Sequence, residues 1–295
     1  MATAAEWLEG ARPRTLPTGM SPVLAGTAIA WWQGHAHIGI ALLCLVVALG
    51  LVIGVNFAND YSDGVRGSDE NRVGPQRLVG SGAAQPKKVR AAAFGCFGIA
   101  GSAGLVAVIL TGHWWLLVVG VACVLAAWFY TGGRHPYGYA GLGEVFVFVF
   151  FGLVAVGGTV YLQAGGVPAP GWAAACGIGL LACAVLVTNN LRDIAGDTAS
   201  GKRTLETRLG DSATRWLYVV LVAIAAVSVV VVAAGTTWWA LLGLACLLLL
   251  APACRSLLAG ANGMALVVTL KATGQGELLY ALGLVVGVGI AKLLS

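Results

Sequence analysis

Two short stretches hold eight of the twelve carboxylates in this 295-residue chain. The first covers residues 56–72 and the second residues 189–211, and in both the acids are mixed with Arg and Lys. Carboxylate oxygens bind hard divalent cations such as Mg²⁺, whereas guanidinium and ammonium groups bind phosphate oxygens. Acids and bases in the same stretch therefore indicate a site for a divalent metal and a polyanion together, which is the chemistry of a diphosphate.

The spacing within each stretch places the acids on one face of a helix. In both, an Asn precedes the first Asp by four residues, and positions four apart lie on the same side of a helix. Two such faces that point at a common axis would line one cavity and hold one or two Mg²⁺ ions. The predicted metal ligands are Asp60, Asp63, Asp193 and Asp197, with neutral oxygens from Asn56 and Asn189.

Basic residues near the acids are the candidates for holding the diphosphate. We expect Lys202, Arg72 and Arg77 to contact its non-bridging oxygens. Tyr130 and Arg134 lie four residues apart in a third polar loop, where they would orient a reacting oxygen or shield a cation from water. Tyrosine at a membrane interface is also common without any such role.

The elements that position these residues are membrane helices. The chain is 59% hydrophobic and 10% charged, whereas a soluble domain is about 25% charged. An apolar run of about 20 residues crosses a ~30 Å hydrocarbon core. Nine such runs predict an all-α integral membrane protein around a central cavity, at residues 15–33, 38–58, 89–111, 114–131, 140–162, 172–190, 213–234, 237–256 and 275–294.

The distribution of charge predicts the orientation of these helices. With a cytoplasmic N-terminus, nearly all Lys and Arg and every carboxylate fall in inner loops or at inner helix ends, including Glu144 and Glu277. The two motifs then occupy equivalent positions in two four-helix repeats followed by a ninth helix, within one domain of residues 1–295. The net charge of +5 favours anionic lipid headgroups and is no evidence for a nucleic acid partner.

Two other interpretations compete with an enzyme site. The acids would also fit ordinary solvated loops, although such loops should contain Asp and Glu in similar numbers. A secondary transporter also places acids and repeats in the membrane. Transporter carboxylates tend to lie near mid-bilayer, whereas these lie at inner helix ends beside basic loops.

At these residues the chain resembles the UbiA superfamily of intramembrane aromatic prenyltransferases over essentially its whole length. The first family motif corresponds to Asn56, Asn59, Asp60 and Asp63, and the second to Asp193, Asp197, Gly201, Lys202 and Thr204. The chain departs from the family in two places. The third acidic position of the first motif falls on Gly67, so that Asp69 replaces it only with a shifted loop, and Arg134 stands where the family has Lys.

The resemblance also implies a reaction. Stretches such as ARPRTLP and NNLRDIAGDTASGKRTL look like the branch that prenylates 1,4-dihydroxy-2-naphthoate. This implies a polyprenyl diphosphate donor, Mg²⁺, loss of CO₂, and demethylmenaquinol as the product in menaquinone biosynthesis. It implies a multi-pass protein of the cell membrane with a cytoplasmic site capped by the inner loops, and Arg14 is a candidate clamp for the acceptor carboxylate. Acceptors such as 4-hydroxybenzoate, homogentisate or a tetrapyrrole remain open.

Overall fold

The computed structural model describes residues 2–67 and 77–295, and the regular structure within them is helical. A short N-terminal helix precedes nine longer helical segments. In chain order these are α1 (Ala4–Gly10), α2 (Leu16–Trp32), α3 (Ile38–Arg66), α4 (Pro86–Thr111), α5 (Leu116–Phe129), α6 (Gly143–Ala164), α7 (Ala169–Ala199), α8 (Leu205–Gly235), α9 (Trp238–Leu258) and α10 (Met264–Leu294).

The prediction of an all-α membrane protein is confirmed, with a difference in the count of spans. Within the described residues, seven helices are long and apolar enough to cross a membrane by length and composition. The segments predicted at 15–33 and 114–131 are helical but shorter, since α2 has 17 residues and α5 has 14. At 1.5 Å per residue, α5 measures only about 21 Å. The count of nine spans stays a prediction.

Three helices continue well beyond their apolar runs. α3 continues to Arg66 and α7 continues to Ala199, so that both acidic motifs lie on helix ends rather than in loops. α10 begins at Met264, eleven residues before the predicted start. Glu277, expected at the inner end of that helix, therefore lies well inside it.

α7 is the central helix of the described structure. In its most apolar window 72% of the residues are buried, whereas the other candidate spans reach 28–39%. Small residues let its neighbours approach closely. A Cβ at Gly177 would lie 2.1 Å from Ser228 Oγ and 2.4 Å from Tyr280 Oη, so a larger residue there would separate α7 from α8 and α10. The second motif is thus carried by the best-packed helix.

Candidate active site

Asp60 anchors the segment that follows the first motif. Its carboxylate is almost fully buried and accepts hydrogen bonds from the backbone N–H groups of Leu78 (2.8 Å) and Val79 (2.9 Å). Gly64 makes the close approach possible, because a Cβ there would lie 2.4 Å from Val79 Cγ1. Both oxygens of Asp60 are thus used to hold the turn that begins at Arg77. The structure gives Asp60 a positioning task, and its role as a metal ligand stays a prediction.

Three other side chains contact the Asp63 carboxylate. The hydroxyl of Tyr139 donates a hydrogen bond to its Oδ1. Lys202 Nζ lies 3.3 Å from the same oxygen, and Arg77 Nη2 lies 3.8 Å from Oδ2. All three ionic side chains are largely buried. The turn held by Asp60 therefore presents Arg77 to the second carboxylate of the same motif.

Lys202 joins the two motifs. Its Nζ lies 3.3 Å from Asp63 Oδ1 and 3.8 Å from Asp197 Oδ1, and 4.6 Å from the centre of the Tyr139 ring. Thr204 follows two residues later and caps α8, since its Oγ1 accepts a hydrogen bond from the Thr207 N–H (3.3 Å). The sequence predicted that the two motif faces converge. In the structure, one carboxylate from each motif lies within 4 Å of the same ammonium group.

Asp193 and Asn189 share one arginine within the second motif. Arg192 donates from Nε and Nη2 to the two oxygens of Asp193 at 2.8 and 2.9 Å, and from Nη2 to Asn189 Oδ1 at 2.9 Å. This bidentate arrangement fixes the plane of the carboxylate. A cation that also binds phosphate thus lies directly beside the predicted ligands.

A small cleft of about 60 Å³ opens beside this network. Four of its lining side chains are arginines, namely Arg12, Arg14, Arg77 and Arg192. Asn56 holds the N-terminal wall in place by donating to the Ala11 carbonyl oxygen (3.0 Å) and to Thr15 Oγ1 (3.1 Å). Asn56 is therefore brought to the site, but its amide nitrogen faces the N-terminal segment. Arg14 pairs with Glu9 at 2.9 Å, so the cleft wall contains an ion pair that an entering anion would have to break.

Tyr130 and Arg134 have different surroundings. Tyr130 packs edge-on against Tyr137 at 5.5 Å. Arg134 is exposed. Asn59 accepts a hydrogen bond from the Thr131 hydroxyl (2.8 Å) and so ties α3 to this loop. Asp69 and Arg72 lie outside the described residues.

The donor set near Lys202 fits a hard divalent cation. Among the residues that the structure describes, no three His, Cys, Asp or Glu side chains already form a ready-made metal cluster. However, the Lys202 ammonium occupies a point within 4 Å of carboxylate oxygens from both motifs. A cationic position coordinated by oxygen atoms is what Mg²⁺ requires. Asp63 and Asp197 are the residues that fit such an ion most directly.

Comparisons with known proteins identify the family. A sequence model described as the UbiA prenyltransferase family matches residues 19–265. The chain belongs to this family. A relative from Mycobacterium tuberculosis, named 1,4-dihydroxy-2-naphthoate octaprenyltransferase, is 50% identical over 282 residues, which is 96% of each chain.

Solved structures of UbiA homologues share the fold. The apo UbiA homologue from Aeropyrum pernix K1 has a TM-score of 0.71 at 16% identity and covers 93% of this chain and 98% of its own. A UbiA homologue from Archaeoglobus fulgidus, solved bound to GPP and Mg²⁺, has a TM-score of 0.62 at 11% identity and covers 95% and 99% of the two chains. At these identities the likeness concerns the fold alone.

Three residues of the candidate site were not among the predicted site residues. Tyr139 contacts Asp63 and Lys202, and burial, together with the Asp63 carboxylate, raises its pKa so that the phenol stays a hydrogen-bond donor at neutral pH. Arg12 and Arg192 line the cleft. Arg192 lies next to Asp193 in sequence, which was an available signal. Tyr139 is far from both motifs in sequence, so no spacing rule identifies it.

Proposed function

We propose that this chain transfers a polyprenyl group from a polyprenyl diphosphate to 1,4-dihydroxy-2-naphthoate. The product would be demethylmenaquinol, formed with loss of CO₂ in menaquinone biosynthesis. The observation that carries the proposal is the convergence of Asp63 and Asp197, one from each motif, on Lys202 Nζ. The choice of acceptor is supported by the name of the Mycobacterium tuberculosis relative, which is 50% identical over 96% of each chain.

The cations of the site would bind the diphosphate. Lys202, Arg77 and Arg192 lie beside the motif carboxylates, and Arg12 lines the same cleft. As the bond from the prenyl carbon to oxygen breaks, negative charge grows on the leaving diphosphate, and fixed cations stabilise that charge without reorganising. Arg192 already holds Asp193 in a bidentate contact, so its guanidinium is preorganised. Asp60 contributes by holding the turn that carries Arg77.

Mg²⁺ is the proposed metal, held by Asp63, Asp193 and Asp197, with Asp60, Asn56 and Asn189 as further predicted ligands. When bound it supplies positive charge that neutralises the diphosphate oxygens. A UbiA homologue of the same fold was solved bound to GPP and Mg²⁺, which supports the choice of metal and donor class.

The acceptor would enter from the side of the N-terminal segment. Arg14 lies at the mouth of the cleft, paired with Glu9, and is proposed to exchange this partner for the acceptor carboxylate. The electron-rich ring then attacks the allylic carbon, and the carboxylate leaves the ring as CO₂. The prenyl tail would lie among the helices toward lipid. Tyr130 and Arg134 stay candidates for orienting the acceptor, although the structure leaves Arg134 exposed.

The site is proposed to face the cytoplasm of a bacterial cell. The Lys and Arg residues cluster in the connections that carry the motifs, and positive loops stay on the inner side. The membrane partner is then the lipid bilayer of the cell membrane, with the N-terminus inside.

A competition assay tests the function. Purified protein in detergent is given one long-chain prenyl diphosphate, with equal amounts of 1,4-dihydroxy-2-naphthoate and 4-hydroxybenzoate, in Mg²⁺ or in EDTA. We expect a prenylated naphthoquinol that lacks the carboxylate, formed in Mg²⁺ only. Prenylated hydroxybenzoate instead would overturn the acceptor, and equal turnover in EDTA would overturn the metal. No transfer to either acceptor would refute the proposed function.

A further inference from the structure

A fully buried carboxylic acid lies inside α10. Glu277 has no exposed surface, and neither of its oxygens has a hydrogen-bond partner among residues 2–67 and 77–295. Thr18 of α2 faces it, but the geometry does not complete a hydrogen bond, because the Thr18 hydroxyl also lacks a partner within the same residues. Two polar groups thus face each other across the interface of α2 and α10 without satisfying each other.

Two other buried hydroxyl groups on the same helix are satisfied. Tyr280, one turn further along α10, is hydrogen-bonded to Ser228 at 2.8 Å, and Thr273, one turn earlier, is bonded to Tyr218 at 2.8 Å. Glu206, also fully buried, is satisfied at one oxygen only: Oε2 accepts from Asn190 at 3.0 Å, whereas Oε1 has no partner among the described residues. A buried polar group left without a partner is costly, and ionisable residues within a membrane domain usually serve function. Both oxygens of Glu277 therefore have unused hydrogen-bonding capacity.

The position of Glu277 connects it to the cleft. Val267 and Leu270 of α10 line the cleft, and residues 267, 270, 274 and 277 repeat at the spacing of a single helix face. A Cβ at Gly274 would lie 3.4 Å from the carbonyl oxygen of Arg14, so this face passes directly under the Arg14 segment. Thr18 lies in the first turn of α2, four residues after Arg14.

We propose that Glu277 and Thr18 form the hydroxyl-binding end of the acceptor site. Arg14 would hold the acid group of an aromatic acceptor at the mouth, while Glu277 and Thr18 accept and donate hydrogen bonds at the phenolic hydroxyl on the far side of the ring. This inference rests on the proposed function and deepens it. The ligand class is a hydroxylated aromatic acid, and in 1,4-dihydroxy-2-naphthoate the recognised group is the 4-hydroxyl, since the 1-hydroxyl is adjacent to the carboxylate.

The discrimination between two acceptors tests the inference. Inhibition or binding constants are measured for 1,4-dihydroxy-2-naphthoate and for 1-hydroxy-2-naphthoate, which lacks the 4-hydroxyl, in wild type and in Glu277→Met. A hydrogen bond between neutral groups contributes a factor of about 2–10 in affinity. Wild type should prefer the diol by about that factor, and Glu277→Met should bind the two acids equally. The KM for the prenyl diphosphate should not change.

Tyr280→Phe is the matched control, because it removes a buried hydroxyl from the same helix that is bonded to Ser228. It should keep the wild-type preference. If Glu277→Met does not fold, the same binding constants are measured in Thr18→Val, which should reduce the preference for 1,4-dihydroxy-2-naphthoate over 1-hydroxy-2-naphthoate. An unchanged preference in the folded variant, or no preference in wild type, would overturn the inference while leaving prenyl transfer intact. Absence of transfer in wild type would instead refute the proposed function.

Discussion

Asp63→Asn removes one negative charge from the site while keeping the size of the side chain. The carboxylate lies 3.3 Å from Lys202 Nζ and 3.8 Å from Arg77 Nη2. At an effective dielectric constant of about 20, each pair has a Coulomb energy of about 4–5 kcal/mol before desolvation is subtracted. Desolvation cancels much of this, so we expect the free energy of unfolding to fall by about 1–3 kcal/mol. The variant should therefore still fold.

The effect of Asp63→Asn on turnover should be larger than its effect on stability. Without the carboxylate, Lys202 and Arg77 each lose one ionic partner, and Tyr139 donates to a neutral acceptor. Removing one preorganised electrostatic contact typically costs about 10²–10³ in rate. We expect kcat for prenyl transfer to fall by at least this factor. The assay is steady-state transfer in detergent at several Mg²⁺ concentrations, together with thermal unfolding of the same samples.

Asp211→Asn is the matched control for this experiment. It makes the same chemical change at a carboxylate that is 62% exposed, pairs with the largely buried Arg215 on α8 and does not line the cleft. We expect it to keep the wild-type rate. The reasoning is refuted if folded Asp63→Asn turns over at the wild-type rate, or if Asp211→Asn loses as much activity as Asp63→Asn does.

Two further substitutions test how the site is positioned. Tyr139→Phe should lower kcat by about tenfold, because it deletes one hydrogen bond to Asp63. The control is Tyr137→Phe, which should leave kcat unchanged because the Tyr137 hydroxyl bonds instead to the Ala126 carbonyl oxygen. Equal losses of kcat in both variants would contradict the assignment of Tyr139 to the site. Gly64→Ala should raise the KM for the prenyl diphosphate, because its Cβ would lie 2.4 Å from Val79 and displace the turn that carries Arg77. Gly95→Ala on α4 serves as the control and should leave this KM unchanged, because a Cβ there meets nothing within 4 Å. An unchanged KM in Gly64→Ala would show that the turn does not position Arg77.

The helices and the motifs were predictable because both depend on local rules. Long apolar runs predict membrane helices from hydrophobicity alone, and Asn56 and Asp60 share a face because they lie four residues apart. Helix ends were less predictable: α3 and α7 continue through polar residues to Arg66 and Ala199. Polar extensions of this kind are stabilised by tertiary packing, which hydropathy does not measure.

Within the site, the sequence by itself determined which residue types are available to bind a diphosphate and a metal. The spacing of the two acidic motifs predicted that their faces converge. Only the tertiary structure decided which groups each of these side chains contacts. In it, Asp60 accepts hydrogen bonds from the backbone of Leu78 and Val79, Tyr139 donates to Asp63, and Glu277 is buried opposite Thr18. These contacts join residues far apart in the chain, and they depend on how the helices pack against one another, which no local pattern specifies.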